Sequence, residues 1–287
     1  MTLSDQDLQS HQPSHAIKGH VHHIPHGRPF AEDLVRGVMA MTNGPEDLAD
    51  SIILLPNRRL SRAVRDAFLR MSEGGAQLLP RMLSIGDVDE DSSELVVAGW
   101  DVDDLPQVID PLERQLYLSR LITEFINAGG ASSSEEAKLS LGEVMSLARA
   151  LAEFLDQVET AGCDLSKLDD LVQGEHAQHW SKILTFLKIV TETWPQILQE
   201  INRSDPVVWR NAAIRARARA WQASPPKGLV VVAGSTGSVP ATQDLMKAVM
   251  KLDRGHLVLP GLDTGMEDAA WDDLGDTDDE TLVAHPQ

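Results

Sequence analysis

The chain has 287 residues, 42% of them apolar and 24% charged, which is the composition of a folded globular protein with room for about two domains. Its formal net charge of −19 excludes attraction of nucleic acid or anionic lipid by the overall field, so contact with a polyanion requires a local basic patch. The single cysteine, Cys163, excludes an internal disulfide framework or a cysteine-rich metal site. No aliphatic run is long enough to cross a bilayer and residues 1–19 lack the apolar segment of a secretory leader, so we expect a soluble cytoplasmic protein without membrane contact.

The pattern of strands and helices is expected to start near His20, because residues 1–19 are polar and aperiodic and predict a flexible tail. A short strand at Val21–Ile24 is followed by an amphipathic helix with one apolar side, formed by Leu34, Val35, Val38 and Met39.

The aliphatic run Ser51–Leu55 is typical of a strand buried on both faces of a parallel sheet. A helix is expected next, at about Arg58–Met71, with an apolar stripe of Leu60, Val64, Ala67 and Met71. Another extended segment is expected at Leu78–Ile85. The stretch Asp87–Asp104 has eight acidic residues and no basic one, which indicates a solvated loop at the end of region 20–105.

The sequence of region 106–225 predicts a series of consecutive helices. Asp110, Pro111 and Glu113 supply an N-cap acceptor, a proline at the first helical position and an acid in the first turn, a strong signal for a helix to about Ala128. Three more helices are expected, at Ser134–Ala161, at His176–Ile201 with a kink or break at Pro195, and from Pro206 onwards.

Strand character returns in region 226–262, with a strand at Leu229–Ala233, a helix through Leu245 and Val249, and a strand at His256–Leu259. Region 263–287 is acidic. The order of elements predicts an α/β fold: a parallel-sheet core split into regions 20–105 and 226–262 by a large all-helical insertion, 106–225.

The buried strand at Ser51–Leu55 is followed by Asn57, Arg58, Arg59 and Arg62, the most specific candidate site. Ligands of open α/β sheets bind outside the carboxyl ends of the strands, and arginine with helix N-terminal amides suits phosphate oxygens. The alternative is an ordinary solvated arginine face.

A second candidate is the glycine-rich turn AGSTGS, in which Ser235, Thr236 and Ser238 offer hydroxyl groups and backbone amides. It is neither a P-loop, which needs G-x-x-x-x-G-K-S/T, nor a G-x-G-x-x-G dinucleotide fingerprint. The alternative is a plain tight turn.

The histidines at positions 20, 22, 23 and 26 match no zinc-binding spacing and are interpreted as a surface cluster with incidental metal affinity. The six tryptophans could stack on bases, but Trp180, Trp194, Trp209 and Trp221 lie within predicted helices and are interpreted as packing residues. No catalytic nucleophile or base is singled out.

Six segments in this order resemble the amino-terminal part of the AddB subunit of alphaproteobacterial AddAB helicase–nucleases: HIPHGRPF, ILLPNRRLSRAVRDAFL, LLPRMLSIGDVDED, PLERQLYLSRL, HWSKILTFLKIVTETWP and VVVAGSTGSVPATQDLM. The resemblance runs from about His20 to the end of the chain. It implies a degenerate P-loop, helicase-like core without ATPase motifs, and a role in double-strand break repair by end resection and homologous recombination.

By this resemblance, His23–Gly27 occupies the place of the phosphate loop without its lysine, and Leu55–Arg59 matches a segment that touches the single-strand backbone in active helicases. The AGSTGS turn stands where a catalytic Asp-Glu pair would follow a strand. ATP hydrolysis, catalytic residues, metal ligands and a cofactor are therefore not expected in this chain. The iron–sulfur cluster and Mg²⁺ of the family belong to a nuclease domain that this chain, expected to be a truncated form, lacks.

The leading hypothesis is a scaffold that binds a single- or double-stranded DNA end through Asn57, Arg58, Arg59 and Arg62, with Ser235, Thr236 and Ser238 as weaker contacts, and that pairs with an AddA-type helicase–nuclease subunit. Two alternatives stay open: an α/β enzyme that binds a small molecule or anion near Ser235, and a DNA-independent module that docks a partner.

Overall fold

The computed structural model of the chain describes residues 20–72, 75, 78–87, 105–128, 139–163, 186–187, 189–263 and 265–267. These residues divide into two compact units. The first unit comprises the described residues within Met1–Ser84, Arg219–Thr236 and Met246–His285, and the second those within Ile85–Ala218 and Gly237–Leu245. Among the helices in the described ranges, none is both long and apolar enough to cross a membrane.

A five-stranded, fully parallel sheet forms the first unit, with the strands in the order β1-β7-β6-β2-β3. A separate parallel pair, β4 with β5, lies in the second unit. The strands are β1 His20–Ile24, β2 Ile52–Leu55, β3 Arg81–Ser84, β4 Gln107–Val108, β5 Arg203–Ser204, β6 Val230–Ala233 and β7 Gly255–Pro260.

The described ranges contain eight α-helices: α1 Phe30–Met41, α2 Pro45–Ala49, α3 Arg58–Met71, α4 Pro111–Asn127, α5 Leu141–Ala161, α6 Trp194–Glu200, α7 Pro206–Ala223 and α8 Pro240–Val249. A 3₁₀ turn follows β3 at Ile85–Asp87, and a π-helical turn at Ile189–Thr193 precedes α6. The chain is therefore α/β with a parallel central sheet, and the predicted fold class is confirmed at that level.

The core of the first unit is built on β2 and β6, in which every residue is buried. Because side chains alternate between the two faces of a strand, complete burial means that both faces of these strands are covered. Ile53, Leu55 and Val231 point into one cluster with the apolar sides of α1, α2 and α3. The continuous aliphatic runs of the sequence thus reflect two-sided burial.

A bidentate ion pair joins α2 to the residue that precedes β7 in the first unit. Arg254 donates from Nη1 to Asp47 Oδ1 at 2.6 Å and from Nη2 to Asp47 Oδ2 at 2.8 Å, and its Nη2 also donates to the carbonyl of Met41. The Asn43 backbone N–H donates to the same carboxylate. These bonds lower the pKa of Asp47 to about 2, with the Arg254 hydrogen bonds as the largest cause.

Capping residues define the ends of two helices in the second unit. Asp110 accepts hydrogen bonds from the backbone N–H groups of Leu112 and Glu113 at the start of α4. Ser140 and Glu143 form a reciprocal capping box at the start of α5, and Gly162 ends α5 in the left-handed conformation, at φ 67°.

The interior of the second unit contains a buried charged network. Arg114 and Asp205, only 6% and 4% exposed, are paired through Arg114 Nη2 and Asp205 Oδ1 at 2.7 Å. Trp194 Nε1 donates to Asp205 Oδ2 at 2.7 Å, and Asp156 accepts from both Arg114 Nη atoms. Burial raises the pKa of Asp205 despite the attraction of Arg114 and the bond from Trp194. The network ties α4, α5, α6 and the start of α7 together.

Several expectations differ in detail from the structure. The first helix buries Leu34, Val35 and Val38 but leaves Met39 exposed. Helix α3 spans the predicted residues but buries Phe68 and Ser61, whereas Leu60 and Met71 are only partly buried. The expectation of a kink or break at Pro195 corresponds to the π-helical turn directly before α6. The two-residue strands β4 and β5 were not predicted, because segments that short carry no period.

Other expectations lie outside the described residues: the tail at 1–19, the acidic segment from 88 to 104, the helix start near Ser134, most of the helix expected from His176, and the acidic region beyond residue 267.

We predict that Arg114→Met destabilises the second unit by about 3 kcal/mol, because it leaves the buried Asp205 carboxylate without its cation. The double variant Arg114→Met, Asp205→Leu should lose less than the sum of the two single variants. Urea unfolding measures the free energy of unfolding of the two single variants and of the double variant. As a control, the corresponding substitutions at the exposed pair Arg120–Glu124, on the same helix, should lower the free energy of unfolding by no more than about 0.5 kcal/mol. Additive losses at Arg114 and Asp205 would contradict a coupled pair.

The low pKa of Asp47 predicts an acid-dependent contribution to stability. Because the folded pKa, about 2, lies below the ordinary value of 3.8, the stabilisation is fully present above about pH 4 and is lost as the pH falls through about 2. The difference in unfolding free energy between the natural chain and Asp47→Asn should therefore be constant near neutrality and shrink toward pH 2 in urea titrations. A difference that does not change with pH would contradict the assignment.

Candidate functional site

The strand order places a topological switch point between β2 and β6, at the carboxyl edge of the sheet in the first unit, and we call this position the crevice. β2 and β6 are neighbours, but the chain leaves β2 through α3 toward β3, and leaves β6 through α8 toward β7, on the opposite side. Adjacent parallel strands whose connections diverge in this way form the point at which open α/β sheets bind ligands. The two loops at this point contain Asn57 and Gly234, and both segments were singled out by sequence analysis.

Helix α3 begins at this crevice. Asn57 is its N-cap, with Oδ1 accepting a hydrogen bond from the Leu60 backbone N–H at 2.9 Å. The asparagine expected as a ligand contact therefore has a structural role, which presents the first turn of the helix. With Val64, Ala67 and Phe68 fully buried, the helix directs its opposite face outward.

That outward face is strongly basic. Arg58, Arg59, Arg62 and Arg65 are all exposed, and Asp66 is the only acidic residue in the helix. In a chain with a net charge of −19, this is the local basic patch that contact with a polyanion requires. The structure thus brings together Arg58, Arg59 and Arg62 on one helix, at one edge of the sheet.

The turn after β6 forms the other side of the crevice. Gly234 has φ 76°, and a Cβ there would lie 2.9 Å from Leu60 Cδ2 and 3.5 Å from the Phe30 ring. The first turns of α1 and α3 therefore approach the turn after β6 at this glycine. Ser235 is half-buried and Thr236 is exposed, both beside the crevice, whereas Ser238 is exposed and belongs to the second unit.

The contact of Phe30 and Leu60 with Gly234 was not singled out by sequence reasoning. A glycine directly after a buried strand signals a close backbone approach, but nothing in the sequence identifies which side chains approach it.

The loop after β1 carries arginine but no lysine. Arg28 is paired with Asp33, in part through Nη2 and Asp33 Oδ1 at 3.0 Å, and Asp33 is also paired with Arg36. These arginines lower the pKa of Asp33, chiefly through the Arg28 hydrogen bond. The guanidinium nearest the position of a phosphate loop is thus engaged with a carboxylate.

The histidines divide between two places. His20 and His22 on β1 lie beside His256 on β7, whereas the His26 ring lies against Gly261, where an added Cβ would be 2.2 Å from His26 Nε2. Within the described ranges, no group of three or more His, Cys, Asp or Glu side chains is arranged to hold a metal ion.

The described tryptophans are packing residues. Trp194, Trp209 and Trp221 are 2–4% exposed, so their rings are not available to stack on bases. Trp100, Trp180 and Trp271 lie outside the described residues.

Comparison with known proteins supplies no assignment: no protein-family model matches the chain, and no curated protein matches it significantly.

We predict that Gly234→Ala destabilises the first unit by more than Gly27→Ala. Both residues have positive φ, 76° and 82°, so both substitutions carry a backbone cost of about 1–2 kcal/mol. A Cβ at Gly27 meets nothing within 4 Å, whereas one at Gly234 meets Leu60. Chemical unfolding of the two variants isolates the contact, and equal losses would contradict the close approach at the crevice.

Proposed function

We propose that this chain is the helicase-like part of an AddB-type subunit, which binds DNA and scaffolds its partner in double-strand break repair without hydrolysing ATP itself. The observation that carries the proposal is the exposed arginine face of α3, which starts at the crevice between β2 and β6. A cytoplasmic location and an AddA-type helicase–nuclease partner belong to the same proposal, and both rest on the sequence resemblance.

DNA would bind here through its phosphates. Arg58 and Arg59 lie in the first turn of α3, and Arg62 lies one turn further, about 6 Å along the axis from Arg58. Guanidinium groups form bidentate, charge-assisted bonds with phosphate oxygens, and the helix N-terminus adds partial positive charge. Contacts of this kind position the backbone of a nucleic acid without reading its sequence, so the affinity should fall steeply with salt.

ATP turnover is not assigned to this chain. The loop after β1 has no lysine for the β and γ phosphates, and its Arg28 is held by Asp33. The turn after β6 offers hydroxyl groups and no carboxylate. The iron–sulfur cluster that the resemblance implies for the whole family does not fit the residues present, because the sequence has only one cysteine.

A second candidate is an α/β enzyme that binds a small anion or sugar phosphate in the same crevice. The observation in its favour is that Gly234 lets the backbone approach closely and that the half-buried Ser235 follows directly. A module that docks a partner without DNA is the third reading.

We predict that single-stranded oligonucleotide binds with an affinity that falls steeply between low and physiological salt. Arg58→Glu, Arg59→Glu, Arg62→Glu should abolish binding near physiological salt and make the logarithmic salt slope shallower by about 2, at about 0.7 per lost phosphate contact. Fluorescence anisotropy at several salt concentrations measures both quantities.

The matched control is Arg120→Glu, Arg149→Glu, Lys251→Glu, which changes the net charge equally at exposed residues outside α3. Equal weakening by both triple variants would reduce the effect to general repulsion and defeat the site assignment. Saturable stabilisation by sugar phosphates with no response to DNA would instead favour the second candidate.

A further inference from the structure

The outer edge of the sheet carries a direct contact between two histidine rings. β1 is the outermost strand, and in its parallel ladder with β7 His20 is in register with His256. Because side chains alternate along a strand, His22 lies on the same face as His20 and His256. His22 Nε2 is 3.0 Å from His256 Nδ1, a hydrogen bond between two ring nitrogens. The ring of His20 completes a cluster of three imidazoles, with its centroid 5.0 Å from that of His256.

The hydrogen bond between the rings depends on their protonation states. A neutral imidazole has one N–H donor and one acceptor nitrogen, whereas a charged imidazolium has two donors and no acceptor. The bond needs a proton on one of the two facing nitrogens and a lone pair on the other, which a neutral pair and a singly charged pair both supply. A doubly charged pair cannot form it, because two N–H groups and two positive charges would then face each other across 3.0 Å.

The groups around His256 do not offset a second positive charge. The described charged groups that act on it are all cationic: Arg254 and the two histidines on its face of β1. Asp47 on α2 is already bound through both oxygens to Arg254. β6, the neighbour of β7 on the other side, consists of four apolar residues. Helix α1 buries only apolar side chains, and its acidic residues Glu32 and Asp33 are paired with arginines.

The attachment of β1 to the sheet involves few buried side chains. Its first four residues are exposed, and only Ile24 is buried, so the strand is expected to open more readily than the central strands. Separation of β1 from β7 would move both positive neighbours away from the His256 ring and admit water to it. We propose that the His22–His256 pair makes this attachment sensitive to pH: a second proton on the pair separates β1 from β7. The proposal does not depend on DNA binding.

The pH range of the effect follows from the titration of His256. Burial, and then the neighbouring cationic groups, lowers the pKa of His256 from its ordinary value of 6.5 to about 4. Because the folded pKa lies below the unfolded value, the closed sheet holds this imidazole neutral. The stabilisation is therefore fully present above about pH 6.5 and is lost progressively as the pH falls to about 4. Over this range the opening equilibrium should shift by up to about tenfold per pH unit.

The test is hydrogen exchange of the full chain in EDTA at several pH values between about 7 and 4.5, followed by mass spectrometry. Protection factors are corrected for the intrinsic dependence of amide exchange on pH. We expect the protection of β1 amides to fall about tenfold or more over this range. The protection of β2, which is buried on both faces, should stay constant.

Two variants replace the paired rings with side chains that do not titrate but keep a nitrogen in the same place. The amide nitrogen of asparagine in His256→Asn mimics Nδ1, and that of glutamine in His22→Gln mimics Nε2. Each variant should reduce the acid-induced loss of β1 protection to about threefold or less. His23→Gln is the matched control, because it removes an exposed imidazole from the opposite face of the same strand and should leave the loss unchanged.

Constant protection of β1 in the natural chain across this pH range would overturn the proposal. An undiminished loss in both His22→Gln and His256→Asn would also overturn it, because the sensitivity would then come from other groups. An equal loss of protection in β2 would show unfolding of the whole unit and count against a local opening. If His256→Asn does not fold at pH 7, the exposed His22→Gln decides the outcome alone.

Discussion

The burial of β2 and β6 on both faces is the constraint on which the first unit depends. Neither strand contains a residue that reaches solvent, so helices must cover the sheet on both sides and the connections must cross over from edge to edge. Crossovers of one hand then bring the loops after the strands to one edge, and the divergence between β2 and β6 opens the crevice there. The position of the arginine face of α3 is a consequence of this aliphatic core.

Arginine has two separate uses in this acidic chain. Arg114 and Arg254 are engaged with Asp205 and Asp47, where they hold together elements that are distant in sequence, and Arg28 is paired locally with Asp33. In α3, Arg70 is likewise paired with Glu32, and Arg59, Arg62 and Arg65 are exposed on the face opposite the buried residues. Composition alone does not show which arginines are paired, because pairing depends on which carboxylates the fold brings close to each guanidinium. The Arg114–Asp205 pair offsets part of the cost of burying both charges.

Much of the fold could be predicted because its signals are local. The aliphatic runs at Ile52–Leu55 and Val230–Ala233, the cap at Asp110 and the glycine that ends α5 each depend on neighbouring residues only. The rest depends on partners far away in sequence: the pairing of β4 with β5, the approach of Phe30 and Leu60 to Gly234, and the facing of His22 and His256. Asn57 shows a further limit, since its hydrogen bond with Leu60 depends on where α3 begins, which the residue type alone does not give.

The strand order also determines when the chain can fold during its synthesis. β1 and β2 leave the ribosome first, yet they do not touch, because β7 and β6 lie between them and are translated last. A nascent chain that has not yet reached residue 230 carries a central strand with an open aliphatic edge, the kind of surface that attracts chaperones or aggregates. The sheet can therefore close only after β6 and β7 have been synthesised, so the described helices between β3 and β6 have time to form first.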